Sequence, residues 1–228
     1  MRLLALDTAT EACSAALLTD AGLAVRRAVL GRGHAEHLLP MANELLIEAG
    51  LELAELDALA VGRGPGAFTG VRIAVSLAQG LALGAGLRVV PVSDLWALGA
   101  SALEKTPAPA ALACLDARMG EVYWGLVVAR PGGVTELLAE GLAAPEAVPA
   151  PPGGERLVGA GHGWSAYPVL GARLAPTVIH AELLPDAGTI ARLGATEWRA
   201  GRAVPPTQLE PVYLRNDVAT RSSRAPGR

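Results

Sequence analysis

Several groups of residues in this chain have the types and spacing that chemistry requires. The most conspicuous is Gly62-Arg63-Gly64-Pro65-Gly66-Ala67-Phe68-Thr69-Gly70, which follows a short apolar run and opens a helical pattern. Strand, glycine loop and helix start make an anion site when free N–H groups and the helix dipole point into the loop. The run lacks the Gly-Lys-Ser/Thr ending of a nucleoside-triphosphate loop, and its glycines miss the dinucleotide spacing. A tight turn that brings a helix close to a sheet fits the same residues equally well. Asp7 and Asp116 each end an apolar run. They either hold a nucleotide's magnesium across a cleft, as acidic strand ends do, or cap their own turns through side-chain hydrogen bonds. His34 and His37 are spaced to share a helix face, but only Glu36 or Glu44 offers a third metal ligand, so an exposed pair at a helix start is favoured. Ser165 sits in Gly163-Trp164-Ser165-Ala166-Tyr167, which misses the final glycine of a nucleophile elbow. No nucleophile–base pair and no zinc set can be assembled.

The elements that must position these residues can be read from pattern. Leu3–Leu6 is a strand ending at Asp7, and Cys13–Leu18 and Leu23–Leu30 form a hairpin around Asp20-Ala21-Gly22. Ala35–Ala49 is a helix stopped by Gly50, Ala58–Val61 a strand, and Val71–Leu83 the helix after the glycine loop. Arg88–Val92 is a strand, and Asp94–Leu103 a helix with Ser93 as N-cap. After the linker Thr106-Pro107-Ala108-Pro109 the pattern starts again: the strand Leu112–Asp116, a polar turn to Glu121, the strand Val122–Val128, then the turn Pro131-Gly132-Gly133. A strand–Asp–turn–hairpin unit used twice suggests a duplicated α/β domain, against the alternative of chance similarity. Ala143 to Gly154 reads as loop, Leu157–Gly159 as a strand and Gly188–Ala200 as a helix. Asn216 to Arg228 is expected to lack fixed structure. The division is 1–104, 105–218 and a flexible 219–228, with the helix near 188–200 packing back on the first unit.

Composition bounds the function. The 228 residues carry 22 acids against 19 bases, a net charge of −3, and 51% apolar residues. That is too apolar for a disordered chain, and too acidic for a protein that holds nucleic acid unaided. Cys13 and Cys114 read as buried thiols in a reducing compartment. The run from Val71 to Leu87 is interrupted by Arg72, Gln79 and four small residues, Ser76, Gly80, Gly84 and Gly86, which suits a buried helix better than a membrane span. A soluble cytoplasmic protein is expected.

Two helices carry more apolar surface than one sheet needs. On Ala35–Ala49 the residues Leu38, Leu39, Met41, Ala42, Leu45, Leu46 and Ala49 cover an arc of about 160°. The next helix aligns Ala74, Ala78 and Ala82 in one row and Ser76, Gly80 and Gly84 in another, allowing close approach on two sides. The chain's own sheet and neighbouring helix could fill both sides, but an interface with another chain is favoured.

Leu4 to Ser14, Gly62 to Arg72, Asp116 to Trp124 and Glu210 to Asn216 together resemble the bacterial TsaB (YeaZ) family. The matches are long, in order, and run from Met1 to about Val218. The resemblance implies an α/β fold of actin/Hsp70 (ASKHA) type with two duplicated lobes, each a mixed sheet flanked by helices. It implies a role in forming N6-threonylcarbamoyladenosine beside the anticodon of tRNAs reading A-starting codons. In that pathway a TsaC-type synthase makes threonylcarbamoyl-AMP, the paralogue TsaD transfers the group, and the ATPase TsaE resets the complex. The chain would then be a non-catalytic subunit, a pseudoenzyme partner of a TsaD-type transferase. In the place of the TsaD metal pair His-x-x-x-His stand Asp94 and Leu98, and Leu98 cannot ligate a metal. The resemblance further implies a helical bundle with TsaD or a second copy, and assigns to it Leu38, Leu39, Met41, Leu45, Ala74, Ala78 and Ala82. A degenerate nucleotide site falls on Asp7, Thr8, Gly64, Gly66 and Asp116. No tightly bound cofactor is expected, with ATP or ADP restricted to the complex interface. tRNA would be met only through the complex, the chain alone would be a homodimer, and no membrane is involved. The alternative function is an ATPase or small-metabolite kinase of the same fold, and after it a peptidase acting on the TsaD partner.

Overall fold

The computed structural model describes residues 1–131, 135–151 and 156–215. The expected tail from Asn216 onward, and Gly132-Gly133 of the second turn, lie outside the described residues.

Alternate residues of β1 (Leu3–Asp7) bury to opposite faces: Leu4 and Leu6 enter one apolar cluster, Leu3 and Ala5 another. A strand buried on both faces must be covered by helices on both, and that requirement organises the chain. β1 pairs antiparallel with β2 (Ala12–Thr19), which pairs with β3 (Gly22–Val29). On its other side β1 pairs parallel with β4 (Ala58–Gly62), and β4 with β5 (Val89–Val92). The helices α1 (His34–Ala49) and α2 (Phe68–Ala85) supply the crossovers and cover one face of this sheet.

The second sheet repeats the first. β6 (Ala110–Arg118), β7 (Glu121–Ala129) and β8 (Thr135–Ala143) form an antiparallel meander. β9 (Leu157–Ala160) and β10 (Val178–His180) add in parallel on the far side of β6. The orders β3-β2-β1-β4-β5 and β8-β7-β6-β9-β10 are the same topology. The two-lobed duplicated α/β architecture read from the sequence is therefore present. Besides β8, other short elements of the second lobe were not foreseen, among them α4 (Gly163–Ala166), α5 (Val169–Leu174) and β10. Each is six residues or fewer, too short for a hydrophobic period to register.

The remaining helices are exchanged between lobes. α3 (Asp94–Lys105) follows the first sheet in sequence, yet its Leu95, Leu98 and Ala102 pack on Ala111, Ala113, Leu115 and Val127 of the second. α6 (Ala187–Arg199) follows the second sheet, yet Ala187, Ile190 and Ala191 pack on Leu3, Ala5 and Ala60 of the first. Gly194 lets α6 come so close that a Cβ there would lie 2.6 Å from that of Ala60. The packing units thus interlock across the 104/105 boundary drawn from sequence. α2 is long and apolar enough to cross a bilayer by length and composition, but Val71, Ala74, Val75, Ala78 and Ala82 seat it in the core.

Candidate functional site

The two acidic strand ends cap their own turns by the same bond. The Ala9 N–H donates to Asp7 Oδ1 at 2.9 Å, and the Arg118 N–H donates to Asp116 Oδ1 at 2.8 Å. Beyond that they differ. Asp116 also accepts from the Tyr167 hydroxyl at 2.9 Å and pairs with the Arg118 guanidinium. Partial burial raises its pKa, but those hydrogen bonds and charges outweigh it and hold the carboxyl below its usual range. Asp7 has no exposed surface, and burial pushes its pKa up to about 6.

The glycine loop packs its own backbone against the turn after β1. The Ala67 N–H donates to Ala9 O and the Thr8 hydroxyl to Gly70 O, both at 2.7 Å. A side chain at Gly66 or Gly70 would overlap the carbonyls of Ala9 and Thr8. The Gly64 N–H is taken by Asp94 Oδ2. So Asp7, Thr8, Gly64 and Gly66 are brought together as the sequence grouping required, and the loop amides of Gly64 and Ala67 already have partners within the chain. Asp116 lies on the second lobe, near the end of β6. His34 Nε2 rests 3.0 Å from Thr10 O, and among the described residues no metal-binding cluster of His, Cys, Asp and Glu is formed. Open clefts of about 480 and 510 Å³ lie between the lobes beside Trp96, Thr135 and Thr196, and none of the predicted site residues lines them.

The C-terminal segment, to which the sequence pattern assigns no role, crosses from lobe to lobe. Val212 N–H donates to Arg63 O at 2.7 Å. Tyr213 accepts from Arg72 Nε at 2.6 Å, and the same guanidinium stacks 3.5 Å from the Phe68 ring centroid. Arg215 then reaches the second lobe, donating to Glu121 at 2.6 Å and to the carbonyls of Ala117 and Arg118.

The helix face assigned to a partner needs correction. Leu38, Leu45, Ala74, Ala78 and Ala82 are buried against this chain's own sheet, and Met41 is half-buried. They belong to the core because the inward arc of each helix holds its most apolar and smallest residues. Of the assigned set only Leu39 is exposed. The outward surface of α1 and α2 instead presents Leu39, Ile47 (69% exposed) and Leu83 (61% exposed), together with Ser76, Gly80 and Gly84. A Cβ at Gly80 or Gly84 would meet nothing within 4 Å. The signal was the second small-residue row, Ser76, Gly80 and Gly84, whereas the row assigned to the partner, Ala74, Ala78 and Ala82, meets the sheet.

Comparison with known proteins bears on this arrangement. The tRNA threonylcarbamoyladenosine biosynthesis protein TsaB of Escherichia coli K12 is 41% identical over 228 aligned positions, covering 96% of each chain. The chain belongs to the TsaB family. The Haemophilus influenzae TsaB is 37% identical, covering all of this chain and 98% of its own. The TsaD family model, described as tRNA N6-adenosine threonylcarbamoyltransferase, matches residues 25–176. YeaZ from Pseudomonas aeruginosa superposes with a TM-score of 0.88 at 44% identity, covering 93% of this chain and 99% of that one. A second P. aeruginosa structure, described as similar to peptidase YEAZ, gives 0.89 at 44% identity, covering 94% and 99%. The stretch matched by the TsaD model includes the glycine loop, Gly62 to Gly70.

Proposed function

We propose that this chain is a non-catalytic scaffold and activator subunit of tRNA N6-threonylcarbamoyladenosine formation, which binds a TsaD-type transferase. The observation that carries this reading is the outward face of α1 and α2. It exposes Leu39, Ile47 and Leu83 beside the bare backbone of Gly80 and Gly84. Glycine in a helix interior costs about 1 kcal/mol relative to alanine, and close packing of a second helix is what offsets it. The names of the full-length relatives supply the pathway. The likeness to the TsaD model makes a related chain the natural occupant of the face, with a second copy of this chain taking its place when alone. The TsaE-type ATPase acts on the assembled complex, nucleotide is confined to that complex, and tRNA is met through it, in the cytoplasm.

The non-catalytic part is supported by how the polar groups are used. Asp7, Asp94 and Asp116 are engaged in holding turns and a loop. The test is a binding titration of Gly80→Arg with the TsaD-type partner. The variant should keep its circular dichroism and lose binding at least about tenfold, the equivalent of 1.4 kcal/mol. Unchanged binding by a folded variant contradicts the assigned face. Nucleotide hydrolysis by the isolated chain would instead favour the ATPase or kinase reading, and cleavage of the partner the peptidase reading.

A further inference from the structure

Asp7 and Asp94 are both without exposed surface and face one another from the end of β1 and the first turn of α3. One oxygen of each has an ordinary partner: Asp7 Oδ1 accepts from the Ala9 N–H, and Asp94 Oδ2 accepts from the Gly64 N–H. The other two, Asp7 Oδ2 and Asp94 Oδ1, have no donor among the described residues, and the two carboxyls lie within hydrogen-bond reach of one another. Room for the pair exists because residue 62 has no side chain. A Cβ there would overlap Asp94 Oδ1 and lie 2.8 Å from Asp7 Oδ1.

We propose that Asp7 and Asp94 share one proton in the folded protein, and that this O–H···O bond latches the glycine loop and the start of α3 to the end of β1. Two adjacent carboxylates cannot both be ionised in a dry site without a compensating charge. The charged and titratable groups around them are Cys13 from β2, Arg63 from the glycine loop, already paired with Glu140, and Asp186 at the start of α6. Asp186 and the Cys13 thiol add no positive charge, so retaining a proton is the way to settle the pair. Burial followed by the neighbouring Asp7 charge raises Asp94 well above the usual carboxylate range, while Asp7 lies at about 6. The pair as a unit holds one proton and one negative charge. Because α3 packs on the second sheet, the latch sits where the two lobes join.

The sign of the pH dependence follows. Both groups bind protons more tightly folded than unfolded, so stability is lost as pH rises above the ordinary carboxylate pKa, and levels off only beyond the raised value of Asp94. The experiment is side-chain carboxyl ¹³C NMR titration of the full chain, with thermal melts of wild type, Asp94→Asn and Asp7→Asn. An asparagine at either place keeps an N–H donor for the opposing carboxylate and removes the titration. One aspartate should titrate near 6 and a second well above it. The melting temperature of the wild type should fall from about pH 5 to about pH 9 by several degrees more than that of Asp94→Asn. Aspartates that all titrate in the ordinary range, or parallel pH slopes in wild type and either folded variant, would overturn the proposal. The NMR arm decides it even where a variant does not fold.

Discussion

Arg63 of the glycine loop donates to the Glu140 carboxylate at 2.7 Å, tying the first sheet to the edge strand β8 of the second. The Ser93 hydroxyl, which also caps α3, donates to the other oxygen of Glu140. Both members of the ion pair are largely buried, so removing one leaves the other desolvated and unpaired. Glu140→Ala is expected to cost about 1–3 kcal/mol in urea unfolding. Adding Arg63→Ala should cost less than the sum of the single changes. A strictly additive double variant would remove the pair from the account of how the lobes are joined.

Glycine-to-alanine changes should split by position. At Gly66 and Gly70 the new methyl group meets a backbone carbonyl that cannot retreat, so both variants should lose about 2 kcal/mol or more. At Gly80 and Gly84 the space is open, and alanine should raise the stability of the isolated chain by about 0.5–1 kcal/mol. The same two changes should weaken association with the partner, because they push the helices apart. Chemical denaturation and a binding titration on one set of variants check both signs.

Exchange of α3 and α6 makes the lobes one cooperative unit. A fragment ending at residue 105 would leave Leu3, Ala5, Ala58, Ala60 and Val90 without the helix that covers them. It should lack a cooperative transition, while the full chain should melt once, with coincident fluorescence and circular dichroism curves. Two separated transitions in the full chain would contradict the interlock.

Arg215→Ala removes the donor to Glu121 and to two carbonyls of the β6–β7 hairpin, where Arg118 and Met119 both have positive φ. A loss of about 1–3 kcal/mol is expected, with earlier proteolysis at that hairpin. Tyr213→Phe keeps the stacking on Arg72 and should cost under about 1.5 kcal/mol.

Much of this architecture was legible. The first lobe has long elements with strong punctuation, such as the Asp20-Ala21-Gly22 turn and the Ser93 cap, whose side chain accepts from the Trp96 N–H. The Asp-ended strand repeat is the visible trace of two sheets with one topology. β8 escaped because it is an edge strand with half-exposed residues and no clean alternation. The partner face was misassigned because periodicity locates two rows of small residues on α2 but carries no sign for which row meets the sheet. The Asp7–Asp94 pair was out of reach altogether. Eighty-seven positions separate the two aspartates in sequence, and only the crossover through α2 and β5 brings them together.

The central claim is tested most directly by omission. Unmodified tRNA, threonine, bicarbonate and ATP are combined with the matching TsaC-, TsaD- and TsaE-type proteins, with and without this chain. The account predicts threonylcarbamoyladenosine only when the chain is present, none from the chain alone, and a large loss with Gly80→Arg. Equal product in its absence would contradict an activating subunit.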